Sequence, residues 1–600
     1  MPVVGISTAD LRRLLGKEIG SVALAEAIDR LGCDLKELSE VVLYECPACA
    51  ATIDRLPRED APVECDACGH RGAQPFPKTG TDERIRLDLV PARPDLFNAM
   101  GLARALRGFL GLARGLPEIR VPAGEVTVEV DPSVREVRPF IACAEVTVPP
   151  LTREQLVLTF RLQEDLHWGV GRDRKKASIG VYDLAKHGTA IRYTTMLPDF
   201  RFTPLGMPGR ALSLGEILAE HPKGRAYAGL LATFDRYPIL VDSAGQVLSM
   251  PPVINSEETK LEVGSSRLFI DVTGTDARAV DDSLALLVTD LLELGGEAHG
   301  VRILEGGAER LTPDLSPARY QFSPPRAAAL IGVPLDTGEV RDRLERMRLS
   351  VEPGEAAGDF TVLVPKYRID VKHEVDLIED VAIAHGYENL PALLVPTMTV
   401  GEEHPRSTLG RRLRAVFTGL GFLEVVNFVL TNREDHYAKM RLPDGFGEAR
   451  IRNPISPQQE IVRTHLLSGL MADFALNKTR EMPQPLFEIG DVVTATAEGT
   501  TQRLHLGIGV MGPRADFALV RSLADAFTSE FAIEADVRPL GDDPLAPVFL
   551  PGRAAALALR GVVAGVLGEV HPAVIVGWGL DHPIVLAEVD LTPLLPEAAG

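Results

Sequence analysis

Residues 323–351 read "SPPRAAALIGVPLDTGEVRDRLERMRLSV", and residues 7–35 read "STADLRRLLGKEIGSVALAEAIDRLGCDL". A shift of 316 lays one over the other without a gap. Ser7 meets Ser323 and Gly16 meets Gly332. Leu24, Ile28, Leu31 and Leu35 meet Val340, Leu344, Met347 and Val351, at the spacing of a helix face. In each copy serine can cap a short first helix and glycine can end it. Farther on, "VPARPDL" (90–96) answers "VPKYRIDV" (364–371) at an offset of 274, so the first copy carries about 42 extra residues. Each copy is predicted as helix, helix, strand, helix: a small α+β unit resembling a winged helix.

The extra residues hold two cysteine pairs, "CPAC" (46–49) and "CDAC" (65–68), with 15 residues between them. Each pair can form a tight knuckle. Two knuckles can close a tetrahedron of thiolates, from Cys46, Cys49, Cys65 and Cys68, around a structural zinc ion. The alternative is two disulfides, which a cytoplasmic setting disfavours. Cys33 and Cys143 read as ordinary buried thiols.

A chain of 600 residues is too long for one core. The expected fold class is α+β and multidomain. A winged-helix-like module at 1–120 carries the ribbon at about 44–73, and an α/β domain spans 121–312. A second winged-helix-like module spans 313–398 and a domain with an antiparallel sheet spans 399–600. "DDSLALLVTDLLELGG" (281–296) is predicted as an amphipathic helix closed by glycine. No signal segment or membrane span is read in the sequence, so a cytoplasmic protein is expected.

The net charge of −21 argues against holding nucleic acid by general electrostatics. The densest basic run, "GRDRKKASIG" (171–180), reads as a solvated hairpin or a local contact. The stretch "RIDVKHEVDLIEDV" (368–381) does the reverse, placing Asp376, Glu379 and Asp380 at i, i+3 and i+4. Such like charges repel on a helix, and water, a basic partner or a metal ion could offset them. The first copy has Gly101, Arg104 and Ala105 there, so the repeat does not itself call for those acids.

Long motifs then carry a family resemblance. They include "RPDLFNAMGLARALRGFLG" (93–111), "LHWGVGRDRKKASIGVYDL" (166–184), "PPVINSEETK" (251–260), "LFIDVTGTD" (268–276) and "NPISPQQEIVRTHLLSGL" (453–470). With "LFEIGDVV" (486–493) and "LGEVHPAVIVGWGL" (567–580), the chain resembles phenylalanyl-tRNA synthetase β subunits of the archaeal and eukaryotic type over nearly its whole length. The cysteine ribbon departs from that pattern. The resemblance implies a partner α subunit in an (αβ)2 heterotetramer. There the α subunit uses ATP to attach phenylalanine to tRNA(Phe), and the β subunit edits mischarged Tyr-tRNA.

The resemblance also implies site residues. Ser249, Asn255, Asp271 and Thr273, with Leu240, are expected to line the editing pocket. Asp271 and Thr273 alternate on a strand and so share a face. No Ser-His-Asp or Cys-His set is evident, so water-mediated hydrolysis is expected. Asp370, Asp376, Glu379 and Asp380 match four acids of a magnesium site shared with the α subunit. Glu374 falls outside that pattern. The basic run at 172–176 becomes a candidate contact for the tRNA acceptor end.

Residues 399–600 resemble a class II synthetase domain that has lost its site. Arg463 is kept, but Thr464 and His465 stand where an acid is expected. Gly552 and Arg553 are kept without the rest of a glycine-rich pattern. Two competing functions are a stand-alone trans-editing hydrolase and a noncatalytic tRNA-binding paralogue.

Overall fold

The computed structural model describes residues 3–48, 52–65, 70–88, 92–395, 397 and 399–595. The chain divides into two compact units, residues 1–393 and 394–600.

In the first unit the repeat is explicit. Each copy runs strand, helix, helix, strand, strand, helix. The first uses Val3–Ser7, Thr8–Leu15, Ser21–Arg30, Asp34–Glu45, Lys78–Asp88 and Ala99–Phe109, and adds Thr52–Arg55 to its sheet edge. The second uses Ala318–Phe322, Pro324–Ile331, Thr337–Arg346, Ser350–Pro353, Phe360–Val364 and Glu374–His385. In both sheets the opening strand pairs antiparallel with the last strand, which pairs with the middle one. Neither opening strand was expected from the sequence. Both are five residues long, too short for alternation to stand out. The paired glycines end the first helices in the left-handed region, Gly16 at φ 67° and Gly332 at φ 84°. Ser7 caps its helix by accepting from the Asp10 N–H, whereas Ser323 makes no side-chain cap bond. The backbone N–H of Ser323 donates to Glu374 instead, at 2.7 Å.

The two copies share one hydrophobic core. Leu11, Leu24, Ile28 and Leu102 of the first pack in the same cluster as Leu344, Val362, Leu377 and Val381 of the second. Their "R-x-D" motifs also meet. Arg93 clasps Asp95 through two bonds of 2.9 Å, and Arg368 clasps Asp370 at 2.9 and 2.8 Å. Arg368 also reaches buried Asp380 at 2.9 Å, and Arg93 lies 3.9 Å from Asp370.

Most strands of residues 123–312 form one curled sheet. From one end its strands are Ile254–Asn255, Val247–Met250, Tyr237–Asp242, Ala190–Met196, Ala123–Val130, Glu297–Glu305, Phe140–Thr147, Arg267–Gly274 and Ala177–Asp183. The helix Ala277–Leu292 covers one face, with Leu284, Leu287 and Leu291 against Val146, Ile270 and Val272. It starts four residues before the expected span, because the Asp276 side chain caps it. The sheet curls until its ends meet: Tyr182, near one end, sits 2.8 Å from Ser249 near the other.

In the second unit, Gln484–Thr496, Gly499–Met511, Ile584–Asp590, Val562–Val570, Phe549–Leu559 and Ala535–Pro539 form an antiparallel sheet, with Leu423–Glu424 added in parallel at one edge. Helices Pro405–Gly419 and Phe517–Glu530 pack on one face through Phe417 and Phe527. Leu467–Leu476 packs on the other through Leu470 and Phe474. No helix among the described residues is long and apolar enough to cross a membrane.

Removing one partner of a buried ion pair leaves an uncompensated charge. Arg368→Ala strands Asp380 and Asp370 and is expected to cost about 3–5 kcal/mol. Arg319→Ala, from an exposed pair with Glu352, is expected to cost within about 1 kcal/mol. The midpoints of urea unfolding of the two variants check this.

Candidate functional site

Where the sheet ends meet, they enclose a cavity of about 200 Å³. Asp271 comes from the middle of Arg267–Gly274, hydrogen-bonded on both sides, and is 1% exposed. The Tyr182 hydroxyl donates to Asp271 Oδ1 at 2.5 Å. The same hydroxyl lies 2.8 Å from the Ser249 Oγ, and having one proton it donates to one of the two at a time. Gly180, two residues before Tyr182, leaves room for this floor: a Cβ there would overlap both Tyr182 Oη and Asp271 Oδ1. Burial raises the Asp271 carboxyl to about 7, against the pull of the Tyr182 bond and of Arg138. Asn255 lines the wall, and its side-chain amide has no partner among the described residues.

Ser249, Asn255 and Asp271 are thus brought together. Thr273 and Leu240 lie behind the cavity instead. Thr273 shares the Asp271 face, but the strand has run past the opening, and Thr273 Oγ1 accepts from Arg138 Nε at 3.0 Å. Leu240 packs with Phe269, Tyr182 and Tyr193 and supports the strand carrying Ser249.

The mouth holds residues that sequence reasoning missed. Glu164 and His167 come from the helix Arg153–Trp168, and Lys223 approaches Glu164 at 3.4 Å. Their signal was the i, i+3 spacing on one helix face, and for Tyr182 it was a glycine two residues earlier in a strand. The basic run also needs correcting. Arg174 is buried: its Nη1 donates to the carbonyls of Pro252 and Val253 at 3.1 Å, and its Nη2 to Glu164 at 2.7 Å. Lys176 pairs with Asp276 at 2.8 Å. Arg172 and Lys175 remain exposed and have no ion pair among the described residues.

A second cavity, of about 350 Å³, is lined by Asp370, Asp376, Glu379 and Asp380 together with Arg93 and Arg368. The Arg368 guanidinium sits between Asp370 and Asp380. Asp376 Oδ2 accepts from the backbone N–H groups of Lys372 and His373 at 2.7 and 2.8 Å, which fixes the start of the helix Glu374–His385. Its other oxygen and the exposed Glu379 remain open. Among the described residues no three His, Cys, Asp or Glu side chains converge as a metal cluster.

In the inserted segment, Cys46 and Cys65 are buried in one small cluster with Ile53 and Phe76. Cys49 and Cys68 lie outside the described residues. In the second unit Arg463 is buried, with Nη1 2.6 Å from Glu488 and Nε donating to the Asp491 carbonyl at 2.8 Å. His465 stacks on His436 at 3.9 Å, and burial pushes both rings toward neutrality. Arg553 is exposed and 3.8 Å from Glu569. On the segment that links the strands Leu423–Glu424 and Leu430–Thr431, Asn427 turns inward to Glu488, while Val426 and Phe428 are 86% and 81% exposed.

Residues 320–387 match the family model of the tRNA synthetase B5 domain, and residues 390–591 that of the phenylalanyl tRNA synthetase beta chain CLM domain. The class is therefore that of aminoacyl-tRNA ligase subunits. The phenylalanine–tRNA ligase beta subunit of Methanothrix thermoacetophila is 43% identical over 516 residues, covering 86% of this chain and 94% of that protein. That of Archaeoglobus fulgidus is 39% identical over 517 residues, covering 85% and 92%. A crystal structure of an N-terminal fragment of the Pyrococcus horikoshii phenylalanyl-tRNA synthetase β subunit superposes with a TM-score of 0.55 at 32% identity, covering 64% of this chain and 99% of the fragment. The chain belongs to the phenylalanine–tRNA ligase β-subunit family.

Because folding raises the Asp271 carboxyl to about 7, its contribution to stability is full at low pH and is lost as pH rises through 7. Asp271→Asn removes that dependence. Relative to the native chain, the variant should gain up to about 2.7 kcal/mol of stability between pH 5 and 8, because about two pH units of the shift lie in that window. Thermal melting of both proteins at the two pH values measures the difference.

Proposed function

We propose that this chain is the assembly and editing subunit of a phenylalanine–tRNA ligase, joined to an α subunit in an (αβ)2 complex that acts on tRNA(Phe). The α subunit would carry the ATP and phenylalanine sites. Arg463 supports this division: held by Glu488, its guanidinium is not free to meet a phosphate. Residues 399–600 are then a catalytically silent class II-like domain. Val426 and Phe428, both exposed, offer the α subunit an apolar edge.

The observation that carries the editing role is the closed polar floor formed by Asp271, Tyr182 and Ser249. A tyrosyl ester can place its phenol against these groups. A phenylalanyl ester cannot, and would leave buried polar atoms unpaired, which is strongly unfavourable. Asn255 supplies a free amide for the backbone end of the amino acid. Arg172 and Lys175, exposed on either side of Arg174 in the chain, would meet the acceptor end of the tRNA.

The two metal readings belong here as well. Magnesium typically binds one or two carboxylates and keeps several waters. Asp376 and Glu379 fit that demand, with Asp370 and Asp380 set behind them by Arg368. Zinc would close the ribbon through Cys46, Cys49, Cys65 and Cys68, and the shared burial of Cys46 and Cys65 supports it.

Co-expression with an α subunit, followed by sizing, tests the assembly role. A single complex is expected, and separate elution would refute the role. Within that complex, Asp271→Ala with Asn255→Ala should lower Tyr-tRNA hydrolysis by about 100-fold or more. Phe-tRNA formation serves as the control for folding, and unchanged hydrolysis would remove the pocket assignment.

A further inference from the structure

The helix Arg153–Trp168 turns two large aromatic side chains outward, Phe160 at 40% and Trp168 at 49% exposure. Single exposed apolar residues are ordinary, but these two are placed together. Residues four apart share a helix face. Phe160, Glu164 and Trp168 therefore form one stripe, about 12 Å long at the helical rise. Phe160 and Glu164 both line the cavity, which puts Trp168 one turn beyond its edge.

The surface beside this stripe is cationic. The charge of Glu164 is met by Arg174 at 2.7 Å and Lys223 at 3.4 Å. Arg161 is exposed and lies two turns before Trp168 on the same face. Directly after the helix the chain turns back, and the Asp173 N–H donates to the Trp168 carbonyl at 3.4 Å. That turn brings exposed Arg172 and Lys175 to the end of the helix. None of these three cations has an ion pair among the described residues. In a chain of net charge −21 they make a local reversal around two exposed rings.

Cations beside open aromatic faces suit a single nucleic-acid strand, whose phosphates meet the charges and whose bases stack on the rings. An apolar protein surface would cover the rings but strip water from the cations, which is costly without acids to pair them. We propose that Phe160 and Trp168 are stacking platforms for the single-stranded 3′ end of tRNA, with Arg161, Arg172 and Lys175 along its phosphates. This deepens the editing role proposed above. Phe160 lines the cavity and so takes the base of the nucleotide that bears the ester. Trp168, farther along the stripe and beside the cations, takes a base farther from the ester. Both rings hold the carrier and not the reacting ester, so they set KM and leave kcat alone.

The chain has two tryptophans, Trp168 and Trp578, so Trp578→Phe makes Trp168 the sole reporter of fluorescence. Uncharged tRNA(Phe) should quench the emission of this full-length variant. The same tRNA without its last two nucleotides should bind at least about tenfold more weakly in that assay. Equal quenching by both, or none by the intact tRNA, overturns the proposal. Should W578F fail to fold, kinetics of the α–β complex on Tyr-tRNA decide. There W168A and F160A should each raise KM by about tenfold with kcat unchanged, while W168F stays within about threefold of the native KM. Native KM in W168A overturns the proposal. So does a W168A chain that no longer joins the α subunit, because the face would then be a protein contact. A native complex that leaves Tyr-tRNA intact refutes the editing role, and the fluorescence titration still decides the stacking.

Discussion

The guanidinium of Arg174 ties four segments to one another. It donates to two carbonyls of the Pro251–Val253 segment, pairs with Glu164 on the helix Arg153–Trp168, and lies 4.4 Å over the Tyr227 ring. Its own carbonyl accepts from buried Arg138, which also bonds Thr273 and Ser178. The backbone reaches this arrangement through Arg172, Asp173 and Arg174, all left-handed at φ 50°, 54° and 62°. Each such non-glycine residue is disfavoured by roughly 1–2 kcal/mol. That conformation persists because the bonds made by Arg174 over-determine it. Together with the Tyr182–Ser249 bond, this clasp holds the strands bearing Ser249 and Asn255 over the strand bearing Asp271.

Much of this was legible in the sequence because it is local or repeated. The offset of 316 found the duplicated module, since helix periodicity and terminal glycines survive in both copies. Alternation put Asp271 and Thr273 on one face correctly. It could not say where along that face the cavity opens, which is why Thr273 falls behind it and Asp271 does not. Tyr182, His167 and Glu164 were missed because their roles depend on two sheet ends meeting, and no local pattern encodes that. The basic run shows the same limit. Four cations in five residues look like one surface feature, yet tertiary bonding takes up Arg174 and Lys176 and leaves Arg172 and Lys175 outside.

The duplicated modules show how one motif can serve two ends. The first copy uses Arg93 and Asp95 as a closed pair. The second repeats it as Arg368 and Asp370 and extends Arg368 to Asp380. This answers part of the repulsion written into "EVDLIEDV" (374–381): Asp380 is neutralised by arginine, and Asp376 caps its own helix. Only Glu379 and one oxygen of Asp376 are left facing the cavity. An acidic run in sequence thus resolves into a structural half and an open half, and only the open half can answer to a cation from outside.

The central claim is that a buried polar floor lets this subunit recognise a phenol and clear the ester that carries it. Comparing hydrolysis of Tyr-tRNA and Phe-tRNA by the native α–β complex tests this most directly. The account predicts that the tyrosyl ester is cleared at least about 100-fold faster. Comparable rates for the two esters would contradict it.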